Sequence, residues 1–266
     1  LRKAGAVLLG KHATHEFAWG GTTNNPHFGP THNPHDVSRI PGGSSGGSAA
    51  SVVAGSCAGA FGTDTCGSVR IPAALCGCVG LKPTYGRISL HRVVPLAYSL
   101  DHGGPLARTV RDTALLYSAV AGFDAADART LPVGVDDVIA GLEDGARGLR
   151  VGRLRGWFED VLDPDVRVAL DRAGDALVDA GCRVSDVLPS GADAPVEDIF
   201  TVVAAEAVPW HHATFGRENP GYSRALAEQL AAGPPGLEAA AAAREAVAVE
   251  VSTLVAALRE VDLLLC

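Results

Sequence analysis

Residues 41–48 read Pro41-Gly-Gly-Ser-Ser-Gly-Gly-Ser48 and run straight into the charge-free stretch Ala49-Ala-Ser-Val-Val-Ala54. A flexible linker shares that Gly/Ser composition, but a linker does not lead directly into a buried helix. The Ala, Ser and Val content of residues 48–60 predicts such a helix, with apolar residues on every face, at the centre of the fold. A second loop of the same character follows, Gly62-Thr-Asp-Thr-Cys-Gly-Ser68-Val-Arg70-Ile-Pro72. Small residues let a backbone approach a ligand closely, and N–H groups at a helix start suit negative charge. Two Ser/Gly loops flanking one buried helix bring the hydroxyls of Ser44 and Ser68 together. Asp64 and Arg70 can pair across the second loop and fix its shape; an ordinary Asx-capped turn accounts for Asp64 alone.

Two better-known motifs overlap these segments and fail on their surroundings. Gly42-Gly-Ser44-Ser-Gly46 fits the GxSxG elbow, which needs a buried strand before it. The preceding Asp36-Val-Ser-Arg-Ile-Pro41 is not such a strand, and Pro41 argues against pairing at its end. Gly5-Ala-Val-Leu-Leu-Gly10-Lys11 fits the GxxxxGK part of a phosphate loop. His12 stands where the Mg²⁺-binding hydroxyl belongs, and the four intervening apolar residues read as strand.

Composition narrows the class. A formal net charge of −8, with no dense Lys/Arg cluster, argues against a nucleic-acid partner. With 47% hydrophobic and 20% charged residues, the chain reads as a globular protein. Cys76-x-Cys78 lacks the paired spacing of a zinc site, so the six cysteines are expected to be small buried apolar residues in a reducing compartment. No stretch approaches the ~20 apolar residues of a membrane span, and no signal sequence opens the chain; the expected location is cytoplasmic. Residue 1 is not Met, and Val261-Asp-Leu-Leu-Leu-Cys266 reads as a strand entering a core. An interior fragment, incomplete at both ends, is the expectation.

Along the chain, a helix tail and a short strand Ala6-Val-Leu-Leu9 are expected, then a long loop over 20–48, of a length usually reserved for function. Thr109 to Ala121 has helical spacing with Asp112 in its first turn. Residues 124–148, richer in Asp and Gly, read as linker-like. A βαβ pattern follows: strand Leu149–Leu154, helix Asp163–Ala180 stopped by Gly181, strand Cys182–Leu188. Ala-rich helices are expected around Ile199–His212 and Leu237–Leu258. The mixture predicts an α/β protein with a sheet buried between helices.

At this point the sequence resembles the amidase signature family. The matching pieces are residues 41–48, residues 62–73 and Cys76-Gly-Cys-Val-Gly-Leu-Lys-Pro-Thr84. Flanking matches are Gly10-Lys11 with Glu16-Phe-Ala18, Asn33-Pro34, and Ser99-Leu-Asp-His102 with Gly104-Pro-Leu-Ala-Arg108. They run in order over residues 1–122; the pattern of 149–266 is also similar. The resemblance implies a mixed β-sheet core sandwiched between helices, with residues 1–123 as the signature core and 149–266 as a truncated C-terminal part of the same domain. It also implies a Ser–Ser–Lys triad and a cis peptide bond at Gly43–Ser44. Ser68 matches the nucleophile and Ser44 the bridging serine. Backbone N–H groups of Thr65, Cys66, Gly67 and Ser68 match the oxyanion hole, with Ser45, Asp64 and Arg70 in support.

Two departures stand out. Cys66 occupies a position where many members have Gly. The family's catalytic lysine lies upstream of Gly10-Lys11, in a stretch absent from this sequence, and neither Lys11 nor Lys82 is expected to replace it. These 266 residues alone are therefore expected to be nearly inactive. The implied activity is hydrolysis of a carboxamide C–N bond through an acyl-enzyme, without metal or organic cofactor. The expected partners are a small-molecule amide and a second copy in a homodimer, with no nucleic acid and no membrane. Two rivals remain: the glutaminase-type A subunit of a tRNA-dependent amidotransferase, and a non-catalytic amidase-like binding protein. Such a glutaminase usually continues through a segment resembling YGLVAFASSLDQ, and Leu90-His-Arg-Val-Val-Pro-Leu-Ala-Tyr-Ser-Leu-Asp-His102 fits a free-standing amidase better. Trp19, Phe28, His102, Trp210 and His211 are candidate pocket residues, although core packing is the ordinary role of such side chains.

Overall fold

The computed structural model describes residues 1–189 and 196–266. The first forty residues are mostly loop, as their Gly, Asn, Pro and His content predicts, apart from single 3₁₀ turns and a hairpin of β1 (Asn24–Asn25) and β2 (Gly29–Pro30). The strand expected at Ala6–Leu9 does not form. A strand needs a ladder partner for its N–H and C=O groups, and Val7 and Leu9 instead stand 82% and 74% exposed.

Helix α1 (Gly46–Val53) follows the Gly/Ser run and buries Gly46, Gly47, Ser48, Ala49 and Val52. It is shorter than the helix expected over 48–60. Gly55 adopts a left-handed φ of +75°, which stops the helix, and the chain returns as β3 (Gly59–Asp64). Next come α2 (Arg70–Cys76), β4 (Val79–Gly80), β5 (His102–Ala107) and α3 (Val110–Ser118). Pro72 is tolerated in α2 because it falls in the first turn, where N–H groups have no helical acceptor. Thr109 caps α3, its hydroxyl accepting from Asp112 N–H. Strand β5 is central and antiparallel to both neighbours, in the order β3-β5-β4, with Asp64 paired to His102 and Gly59 to Ala107. Ala49, Val69, Ala73, Cys76 and Leu106 form the buried cluster that clamps α1 and α2 onto this sheet.

The later elements are β6 (Arg150–Leu154), α4 (Trp157–Asp160), α5 (Pro164–Asp179), β7 (Arg183–Val187), α6 (Val196–Phe215), α7 (Arg224–Ala231), α8 (Leu237–Ala257) and β8 (Leu263–Leu265). The βαβ pattern read from 149–188 is met. Asp163 caps α5 with Pro164 in the first turn, and Gly181 (φ +89°) follows its end. Strands β7, β6 and β8 form a parallel sheet in that order. Helices α4 and α7 had no counterpart in the sequence reading. The class is α/β with both parallel and antiparallel pairing, divided among three sheets in the described residues rather than gathered in one.

The chain divides into two compact units, Leu1–Ala140 with Val203–Pro234, and Gly141–Val202 with Pro235–Cys266. Within residues 124–148, Asp127 is buried, accepts a hydrogen bond from Leu90 N–H and pairs with Arg129. Of the cysteines, Cys76 and Cys182 are buried as expected, Cys57, Cys66 and Cys78 are half-buried and Cys266 is exposed; all are unbridged. Among the described residues no helix is long and apolar enough to cross a membrane.

One contact makes the packing of α1 testable. Gly47 N–H donates to Ala13 C=O, and a Cβ on Gly47 would lie 2.4 Å from that oxygen. Gly47→Ala is expected to cost about 1–3 kcal/mol by overpacking, read as a lower urea midpoint with an unchanged slope. A wild-type midpoint would show that α1 is not held there.

Candidate active site

The N-terminal end of α1 is stitched to the second loop by main-chain and hydroxyl contacts. Ser45 N–H donates to Ser68 C=O at 3.1 Å, so the residue after Ser44 sits directly on Ser68. Ser45 Oγ accepts from Thr63 N–H and donates to Thr63 C=O, both at 3.2 Å. A side chain at Gly62 would fill this space, since its Cβ would fall 2.3 Å from Ser45 Oγ. The Gly43–Ser44 bond is cis. Ser44 is 1% exposed, and its Oγ is buried without a hydrogen-bond partner. Such an orphan is rare in a folded interior. Ser68 is half-buried.

Asp64 shapes the second loop. Its carboxylate, 0% exposed, accepts from Gly67 N–H (2.7 Å), Val69 N–H (3.1 Å) and Arg70 N–H (3.4 Å), and from the Arg70 guanidinium at 3.0 and 2.9 Å. Burial pushes this carboxyl upward, but the Arg70 hydrogen bonds and charge and the Gly67 and Val69 amides outweigh it and hold it below its usual range. The Gly67 N–H, expected among the oxyanion donors, is directed at Asp64.

Cys66 brings a Cβ into the loop, and its side chain packs against the cluster of Leu96, Ala97, Val203 and Ala207. Burial first, then the charges of Asp64 and Asp101, push its thiol up to about 11. It is thus a neutral, poorly nucleophilic neighbour of Ser68 at neutral pH.

Two bracing residues lay outside the sequence reading. Thr23, fully buried at a left-handed φ of +52°, donates through Oγ1 to Gly42 C=O (2.8 Å), lies 3.2 Å from Ser44 C=O and accepts from Gly46 N–H (3.0 Å). A β-branched residue in that conformation is strained and needs such surroundings to persist. Asp101 accepts from Thr65 Oγ1 at 2.6 Å. The only sequence signal for Asp101 was its place in Ser99-Leu-Asp-His102, and Thr23 had none.

None of the three lysines reaches Ser44 Oγ. Lys3 and Lys11 are exposed, and half-buried Lys82 donates to Pro83 C=O. Burial, then the nearby Arg70 charge, lowers the Lys82 pKa, with Asp64 opposing. A cavity of about 680 Å³ opens beside Thr63, lined by Phe17, Asn25, Phe28, Val93 and Val94 among others. Phe28 is 84% exposed along it, contrary to a core role. His211 is fully buried and ringed by Phe17, Trp210, Phe215 and Tyr222. His102 heads β5 with Nδ1 on Leu100 C=O, and half-buried Trp19 packs on two apolar clusters.

The profile of the amidase family matches residues 1–266, and the chain belongs to that family. Its relatives include the A subunit of glutamyl-tRNA(Gln) amidotransferase from Salinibacter ruber, 48% identical over 207 residues, which are 78% of this chain and 40% of that protein. The chain spans less than half the length of the curated relatives it matches. Among solved structures, one of an inhibitor-bound vestigial protein complex, described as revealing the origins of an s-triazine catabolic enzyme, superposes with a TM-score of 0.91. It is 37% identical, over 98% of this chain and 56% of that one. The Thermotoga maritima A subunit of glutamyl-tRNA(Gln) amidotransferase gives a TM-score of 0.83 at 35% identity, over 98% and 57%.

Proposed function

We propose that this chain carries the serine centre of an amide hydrolase, in which Ser68 is the nucleophile and Ser44 its proton relay. The observation that carries this reading is the buried, unpartnered Ser44 Oγ, one residue from a main-chain bond to Ser68. A hydroxyl that both accepts and donates suits a relay. Ser68 Oγ attacks the carboxamide carbon while its proton passes to Ser44 Oγ. The amides of Thr65, Cys66 and Ser68 receive the developing oxyanion, and such donors are worth about 3 kcal/mol each in the transition state. The C–N bond breaks, the amine or ammonia leaves with the relayed proton, and water releases the acyl group from Ser68. The base at the far end of the relay is, in this proposal, the lysine that the family resemblance implies ahead of residue 1.

The acyl-enzyme reading leaves two destinations for the nitrogen. Residues 90–102 favour a free-standing amidase acting on a small carboxamide. The identity to the Salinibacter ruber amidotransferase favours a glutaminase that hands ammonia to a partner protein. The test uses the protein with its whole encoded chain, a fluorophosphonate probe, and glutamine beside aliphatic and aryl amides. Labelling with turnover of simple amides is expected. Turnover confined to glutamine would transfer the assignment to the amidotransferase reading. Absence of labelling and of all turnover would leave a non-catalytic binding protein.

A further inference from the structure

Asp101 is a buried carboxylate, 5% exposed, that the steps above do not use. Both of its oxygens accept hydrogen bonds: Oδ1 from Thr65 Oγ1 (2.6 Å) and Ala97 N–H (3.1 Å), and Oδ2 from Leu96 N–H (2.9 Å). Its own N–H is tied to Ala97 C=O at 2.8 Å. The next residue, His102, opens β5 opposite Asp64, the residue before Thr65. Thr65 is therefore held from two sides, through the ladder at Asp64 and through its hydroxyl on Asp101. The arrangement leaves little freedom for the peptide plane that carries the Thr65 N–H. Charge-assisted hydrogen bonds of this length are among the stronger ones.

We propose that Asp101 is a positioning residue for the oxyanion loop, acting through the Thr65 hydroxyl to aim the main-chain donors beside Ser68. This rests on the amide-hydrolase reading. It predicts an effect on the acyl-transfer step and not on substrate affinity, because Asp101 touches no reacting atom. Cys66 packs against the cluster that includes Leu96 and Ala97, the residues whose amides Asp101 holds.

The experiment compares Thr65→Val, Thr65→Ser, Asp101→Asn and the Thr65→Val/Asp101→Asn double variant in the whole encoded chain. It reads the fluorophosphonate labelling rate together with kcat and KM. Thr65→Val keeps the side-chain shape and removes the hydroxyl. It is expected to slow labelling and kcat about tenfold, with KM within about twofold, since small misplacements near a reacting centre cost rate. Thr65→Ser restores the rate to within about threefold by restoring the donor. The double variant loses no more than the slower single variant, as required of two groups acting through one bond. If Asp101→Asn does not fold, the Val and Ser variants at Thr65 decide alone. Wild-type labelling by Thr65→Val, equal losses in kcat and through KM, or additive losses in the double variant would overturn the proposal while the hydrolase reading stands. A wild-type protein that neither labels nor turns over overturns both.

Discussion

Ser68→Ala is expected to eliminate fluorophosphonate labelling and to lower kcat for amide hydrolysis by about 10⁴-fold or more, as loss of an activated nucleophile does. Its stability should stay within about 0.5 kcal/mol of wild type. That separation follows from how the loops are joined. It is the Ser68 carbonyl, not its side chain, that receives Ser45 N–H, so truncation at Cβ leaves the stitch in place. Ser44→Ala is expected to lower kcat by a similar order, because a relay and its nucleophile act as one unit. It also removes a buried hydroxyl that has no partner to lose. Intact-mass analysis after exposure to the probe reads the first variant; retention of the label would remove Ser68 from the reaction.

Asp64→Ala should produce the largest loss of stability, about 3 kcal/mol or more, since bonds to a charged acceptor are worth about 1.5–3 kcal/mol each. One carboxylate satisfies Gly67, Val69 and Arg70 main-chain groups and the Arg70 side chain. Removing it takes away the acceptor of the Gly67, Val69 and Arg70 amides. Asp64→Asn, which keeps the shape but turns one oxygen into a donor facing donors, should fall between Ala and wild type. The same pair sets an acid limit. A carboxyl held below its ordinary range in the fold binds fewer protons there than in the unfolded chain, so its stabilisation is complete above about pH 4 and is lost as pH falls through the lowered value. Urea midpoints measured from neutral pH down to about pH 3 should fall less steeply for Asp64→Asn than for wild type. Parallel curves would mean that Asp64 carries no such linkage.

What could be read in advance divides by distance along the chain. The Asp64–Arg70 pair spans six residues, Asp112 falls in the first turn of α3, and the β6–α5–β7 unit has an unbroken pattern from strand to stop glycine. Each is a local matter, and each was legible. Ser44 and Ser68 lie 24 residues apart; two like loops on either side of one helix suggested that the loops meet, and Ser45 N–H on Ser68 C=O joins them. Thr23 reaches Gly42 across 19 residues and Asp101 reaches Thr65 across 36, with nothing around either to mark the contact. The end of α1 was hidden for another reason: Ala54, Ser56, Ala58 and Ala60 carry small residues past Val53, and the left-handed Gly55 marks where the helix stops. Ala6–Leu9 has the composition of a strand, but composition cannot supply a neighbour.

The first serine loop is held to its neighbours largely by atoms that every residue possesses. Ser45 N–H on Ser68 C=O, His15 N–H on Ser44 C=O and Gly47 N–H on Ala13 C=O would all survive exchange of the surrounding side chains. What they demand is room, and that is why Gly47 and Gly62 sit where a methyl group would collide with Ala13 or with Ser45. The constraint therefore falls on residues whose contribution is to be small, and side chains elsewhere in the loop can change without loss of these bonds.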